Sequence, residues 1–109
     1  MSDSERKLAD IDAVFSALAH ASRRHILLVL HFRGGEMTAG EIAARFGCSW
    51  PTTTRHLKVL LAAGLVLQQQ SGRQRLYRLD RKRLDQVAAG WLKSFKPATR
   101  TDPGSMPPA

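Results

Sequence analysis

From Arg45 to Arg83 the chain carries nine basic residues and one acid, Asp80. So much charge of one sign in a short stretch attracts polyanions, whether nucleic acid or an anionic membrane surface. Within it, Ser49, Trp50, Pro51, Thr52, Thr54, Arg55, His56 and Lys58 fall close together, and Arg73, Arg75 and Arg78 follow after an uncharged interval. These residue types suit double-stranded DNA. Arginine can grip guanine with two hydrogen bonds or hold a phosphate, threonine offers a hydroxyl and a methyl to base edges, and tryptophan can press on a thymine methyl or the sugar-phosphate wall. Lys58 is better suited to phosphate. His56, flanked by Arg55 and Lys58, is expected to touch the DNA backbone or pack beside a following hairpin. An isolated surface arginine is usually just solvated, so the reading depends on the elements that would hold these side chains together.

Other chemistries find little support. No paired carboxylates, Ser/His/Asp set or phosphate-binding loop stands in the sequence, so an enzyme is not expected. Cys48 is the only cysteine, which excludes an internal disulfide and a thiolate cluster within one chain. A free cysteine commonly behaves as a small buried hydrophobe, and core filler is the expected role over redox sensor. His20, His25, His31 and His56 fall on different helices or faces, and neither a metal nor a cofactor is expected. The 109 residues, with 17 Lys and Arg against 9 Asp and Glu and a net charge of +8, make room for one domain. No apolar run approaches the ~20 residues needed to cross a bilayer, and the start is too polar for a secretion signal. The expected location is cytoplasmic, with no membrane partner.

The positioning elements follow from periodicity and punctuation. Ile11, Val14, Phe15 and Leu18 recur at helical spacing and predict a first helix from about Asp10 to His20, after a flexible segment over residues 1–10. Ser22 can cap a second, largely apolar helix over Arg23 to Phe32, which Gly34 and Gly35 end. Thr38 with Glu41 forms a capping-box pattern ahead of a short third helix, Ala39 to Phe46. Gly47 can close that helix, and Ser49 can cap a fourth from Trp50 to about Ala63 with Pro51 in its first turn. Taking Leu57 as inward, Thr53, Leu60 and Leu61 share its side, while Pro51, Thr52, Arg55, Lys58 and Val59 face away. Leu65 to Gln70 and Gln74 to Leu79 predict a β-hairpin about Ser71-Gly72-Arg73. Asp80 can cap a final helix bearing Leu84, Val87, Ala88, Trp91, Leu92 and Phe95. Residues 97–109 lack an apolar pattern and are expected to be disordered.

The fold class is therefore mainly α with a small β-hairpin: a winged helix-turn-helix of four helices, a hairpin and a fifth helix, spanning residues 11–96. Two short helices joined by a tight turn place the second in the major groove, and the hairpin reaches the adjacent minor groove or backbone.

The stretches Ala17 to Leu27, Thr38 to Phe46, Thr54-Arg55-His56-Leu57-Lys58-Val59-Leu60-Leu61-Ala62-Ala63-Gly64-Leu65-Val66, Gly72-Arg73 and Tyr77-Arg78-Leu79 resemble the ArsR/SmtB family of winged-helix repressors. The resemblance implies a homodimer on an imperfect palindrome, with first and last helices meeting their mates through Ile11, Val14, Phe15, Leu18, Leu84, Val87, Ala88, Trp91, Leu92 and Phe95. The apolar stripes on these helices agree, although the last helix could instead fold onto its own domain. The family's metal sites are not carried over. Its C-x-C pattern falls on Thr38 and Gly40, and its last-helix ligands fall near Arg81, Arg83, Ser94 and Pro97. The closing Trp91-Leu92-Lys93-Ser94-Phe95 is similar to a metal-independent subgroup whose members often repress their own promoter. Operator, regulated gene and inducer are not written in these residues, and a module binding nucleic acid without sequence preference stays open beside the repressor.

Overall fold

The computed structural model describes residues 2–47 and 49–95, so the packing expected of Cys48 and the disorder expected of residues 97–109 lie outside the described residues. Helix α1 (Asp3–Leu18) begins well before Asp10. The Ser2 hydroxyl accepts the Glu5 N–H at 3.1 Å, and Asp3 and Glu5 place negative charge at the positive end of the helix. The segment expected to be a flexible start is thus helical from Asp3, and the apolar stripe gains Leu8.

Helix α2 (Ala21–Phe32) follows after two residues. Its cap is His20, whose Nδ1 accepts the Ser22 N–H at 3.2 Å; Ser22, the expected cap, already lies inside the helix. Arg23 then folds back on α1, donating from Nε to the Ala17 carbonyl at 2.7 Å and from Nη2 to Ser16 at 3.3 Å. Arg24 donates to the Leu18 carbonyl at 2.7 Å. Two cations thereby satisfy carbonyls at the α1 C-terminus that have no partner within the helix, at its negative end.

Strand β1 (Glu36–Thr38) was not expected, because three residues are too few to show an alternation. It pairs antiparallel with β3 (Gln74–Leu79), which pairs in turn with β2 (Val66–Ser71), giving the sheet order β1-β3-β2 with Met37 opposite Tyr77 and Ser71 opposite Gln74. Between the strands, α3 (Ala39–Phe46) has the expected capping box: the Thr38 hydroxyl accepts the Glu41 N–H at 3.1 Å, and the Glu41 carboxylate accepts the Thr38 N–H at 3.0 Å. The backbone bond from Thr38, with a second from its hydroxyl, holds the Glu41 carboxyl below its ordinary value of 4.5. Gly47, at φ 63°, closes α3. Helix α4 (Trp50–Ala62) starts on the Ser49 hydroxyl, which accepts the Thr52 N–H at 3.3 Å.

The chain ends in a continuous helical run over residues 81–93, made of α5 (Arg81–Leu84), a π-helical turn (Asp85–Ala89) and α6 (Gly90–Lys93). Asp80 caps it by accepting the Arg83 N–H at 3.0 Å, as expected. The Arg83 side chain lies over Gly64 and pairs with Asp10 at 3.3 Å, tying the terminal run to α1. At Gly64, φ is 77° and a Cβ would sit 3.1 Å from Arg83 Nε, so only glycine fits there without displacement.

Leu30, Ile42, Leu57, Leu60 and Leu65 form the centre of the core, packed with Val14, Ile26, Val66 and Tyr77. Val14 is 0% exposed and Val87 9%, which corrects their expected place at a dimer surface: α1 and the terminal run close over them within one chain. Leu57→Ala should therefore cost about 2–5 kcal/mol and Thr38→Ala about 1 kcal/mol, both measured by urea unfolding. A Leu57→Ala cost no larger than that of Thr38→Ala would contradict this placement of the core.

Candidate nucleic-acid interface

Helix α4 is rotated as its periodicity predicts at most positions: Thr53, Leu57 and Leu60 are buried, Leu61 is half-buried, and Pro51, Arg55 and Lys58 are exposed. Val59, expected to face away, is instead half-buried and packs against the core from the flank of the helix. Trp50, Pro51, Thr54, Arg55 and Lys58 line one recess on the outer side. A second cleft, between α3, α4 and the hairpin, is lined by Trp50 and Thr54 together with Arg73, Gln74, Arg75 and Tyr77. The hairpin thus delivers two of its arginines beside the exposed side of α4. Among the described residues Arg55, Lys58, Arg73 and Arg75 form no ion pair, and their charge is directed to solvent.

Trp50 is 61% exposed, yet one edge of its ring rests on the backbone of Gly40 in α3. A Cβ at Gly40 would lie 2.9 Å from Trp50 Cζ2. Gly40 is therefore a positioning residue that the sequence reading missed; a glycine in the first turn of a helix was its only signal. Ser49 and Thr52 are engaged with each other, hydroxyl to hydroxyl at 3.0 Å, at the start of α4. With Ser49 donating to the Thr52 hydroxyl and accepting the Thr52 N–H, the pair sets the helix end, where the remaining backbone N–H groups favour phosphate.

Two of the sequence-predicted residues stand elsewhere. Arg78 is on the opposite side of β3 from Arg75, as an odd separation in a strand requires. Its Nη2 lies 3.4 Å from the Glu36 carboxylate and 3.2 Å from the Gln69 side-chain oxygen, so it braces the sheet. His56 turns from the hairpin toward α1 and α2. It sits half-buried at the α1–α2 junction, with its ring 4.6 Å from that of His20 and its Nδ1 3.5 Å from Arg23 Nη1. The expectation that the histidines lie apart is corrected at this pair, since the fold joins positions 36 residues distant in sequence.

Arg23 has only donors to offer, so the contact uses the lone pair of a neutral imidazole. Burial, followed by the positive charges of His20, Arg23 and Arg55, pushes His56 below the ordinary histidine value of 6.5. The unfolded chain then takes up a proton first. Stability linked to neutral His56 is intact above 6.5 and is lost as pH falls through the lowered folded value. His56→Gln should flatten this part of the profile of urea midpoint against pH; an unaltered profile would remove the linkage. Gly40→Ala should displace the Trp50 ring and change its fluorescence in the free protein, whereas an unchanged spectrum would argue against the contact.

A helix-turn-helix domain family model matches residues 18–69. The chain is similar to the transcriptional repressor SdpR of Bacillus subtilis, with 37% identity over 82 residues that cover 75% of this chain and 88% of that protein. It is also similar to the structure of an ArsR-like transcriptional regulator from Rhodococcus sp. RHA1, with a TM-score of 0.70 at 30% identity over 80% of each chain. A homodimeric winged helix-turn-helix DNA-binding domain from Mycobacterium bovis, a possible ArsR-family regulator, matches with a TM-score of 0.71 at 27% identity, covering 86% of this chain and 87% of that one.

Proposed function

The chain belongs to the ArsR family of winged helix-turn-helix transcriptional regulators, and on that premise we propose that it is a cytoplasmic homodimeric repressor that reads an imperfect palindrome in double-stranded DNA. The observation that carries this reading is the set of unpaired cations, Arg55 and Lys58 on α4 with Arg73 and Arg75 on the hairpin, around Trp50 and Thr54. Arg55 reads a base edge, Lys58 and the hairpin arginines hold phosphates, and Thr54 and Trp50 fit between them. Repression follows from occupying the promoter.

Dimerisation runs through a second apolar stripe. Leu8, Trp91 and Phe95 are 61%, 39% and 67% exposed, and Ile11 and Phe15 complete the patch. Phe15, Trp91 and Phe95 already stack edge to face, with centroids 5.0 and 4.9 Å apart, so the aromatic surface is rigid before it meets a second copy. No metal is needed for binding or release, because Thr38 and Gly40 replace the thiolate ligands of metal-sensing relatives.

DNA captured by the purified protein from genomic fragments should be enriched in one imperfect palindrome, and the absence of any enriched site would sink the specific-repressor reading in favour of a sequence-indifferent binder. On the enriched site Arg55→Ala should cost about 1–3 kcal/mol, with a smaller loss on random duplex. Equal losses on the two would make Arg55 a phosphate contact. Phe95→Glu should convert dimer to monomer in analytical ultracentrifugation, and a persisting dimer would place the interface elsewhere.

A further inference from the structure

A groove of about 740 Å³ lies between α2 and the terminal run, and it shares no lining residue with the recess or cleft on the DNA-facing side. That volume falls in the roughly 300–1,000 Å³ span of small-molecule sites. Its apolar lining includes Leu18, Leu27, Leu28, Leu84, Ala88 and Leu92. Leu28 and Leu92 are 53% and 63% exposed, so apolar surface remains unfilled. Along the terminal run a small residue, Ala88, stands between two leucines at helical spacing and opens the groove at its middle. The π-helical turn lies there, with Asp85, Ala88 and Ala89 all among the lining residues. Single π-helical turns recur at functional sites, where they displace a side chain from the regular helical register.

The polar lining sets two arginines, Arg24 and Arg81, with the imidazoles of His25 and His31, against one acid, Asp85. Among the described residues neither Arg24 nor Arg81 forms an ion pair, and Arg24 spends one nitrogen on the Leu18 carbonyl. A second copy of this chain is a poor occupant, since a symmetric contact here would set the Arg24 and Arg81 rim of one copy against the same rim of the other.

We propose that this groove binds a small amphipathic organic anion: a carboxylate with an aliphatic or arylalkyl body lying along Leu28, Ala88 and Leu92 and its head held by Arg24 and Arg81. The site shares no residue with the aromatic patch of Leu8, Ile11, Phe15, Trp91 and Phe95 or with the DNA-facing residues, and it takes Leu18, Leu84, Ala88 and Leu92 out of the dimer surface that the family resemblance implies, so the proposal stands or falls apart from the DNA-binding reading.

Titration calorimetry on the full chain tests it with three probes of equal length used as monomers: decanoate, decanol and decyltrimethylammonium. Decanoate should bind saturably, once per protomer, decanol about tenfold more weakly, and the cation not at all. Arg24→Gln combined with Arg81→Gln should weaken decanoate at least about tenfold and leave decanol unchanged. Leu28→Glu, at an exposed position, should weaken both; if it unfolds the chain, as thermal melting would show, the arginine pair decides. Equal binding of the three probes, decanoate binding that ignores the arginine variants, no saturable decanoate binding, or binding only to phosphatidylglycerol vesicles would each overturn the proposal. Genomic DNA capture run in parallel separates the two readings, because failure to select an operator leaves a decanoate result intact and the reverse holds equally.

Discussion

Thr53, Leu57 and Leu60 fix the rotation of α4 about its own axis, and what that helix presents to DNA depends on the rotation. Burying each leucine is worth roughly 1.5–3 kcal/mol, whereas an exposed charge contributes a fraction of that to the fold. The core therefore decides the orientation and the cations follow. Once the side bearing Leu57 is packed against Leu30, Ile42 and Val14, a period of 3.6 residues leaves Arg55 and Lys58 no direction but outward. Trp50 obeys the same constraint at the start of the helix, where the missing Cβ of Gly40 lets one edge of its ring rest on the α3 backbone while the rest stays exposed.

A single arginine extends that constraint to the rest of the chain. Arg23 leaves α2, closes the carbonyl end of α1 and reaches the imidazole of His56 on α4. Three helices thus meet at one guanidinium, and α1 is in turn tied to the terminal run through Asp10 and Arg83. Guanidinium suits this post because its planar fork can hold two carbonyls and a ring nitrogen at once, which a lysine ammonium cannot match in geometry. His56, which by sequence is one more basic neighbour of the DNA-facing set, is consumed by this junction.

What could be read from the sequence was whatever is local. The Thr38–Glu41 box, the left-handed Gly47, the Ser49 cap with Pro51 behind it and the Gly72-Arg73 turn each declare themselves within four residues, and each is present as expected. The split between buried and exposed sides of α4 was equally legible, since it needs only one helix and its period. Most of the misses need a partner from elsewhere in the chain, although the Ser2 cap of α1 and the His20 cap of α2 are local signals that went unread. β1 exists because β3 lies beside it, Arg78 is drawn to Glu36 across that pairing, and His20 meets His56 only once α2 has turned back on α1. Val14 and Val87 went the same way: an apolar stripe shows that a helix buries something, but not whether its own chain or a second copy does the covering.

The two sides of the terminal run differ in what they offer. One side carries Val87 and Trp91 against α1, with Phe15 and Phe95 extending an aromatic surface that has no cation of its own in the stack. The other carries Leu84, Ala88 and Leu92 over α2, rimmed by arginines. A self-complementary interface brings like against like across its symmetry axis, which an aromatic stack tolerates and an arginine rim does not. The aromatic side is thus suited to a second copy and the basic groove to an anion. An anion in the groove can bias DNA binding only by favouring one placement of the terminal run over another. That run is bonded to α1 by Arg83 and Asp10, whereas α4 is held by its own leucines, so any such bias would have to act on the packing of α1 and the terminal run rather than on the rotation of α4.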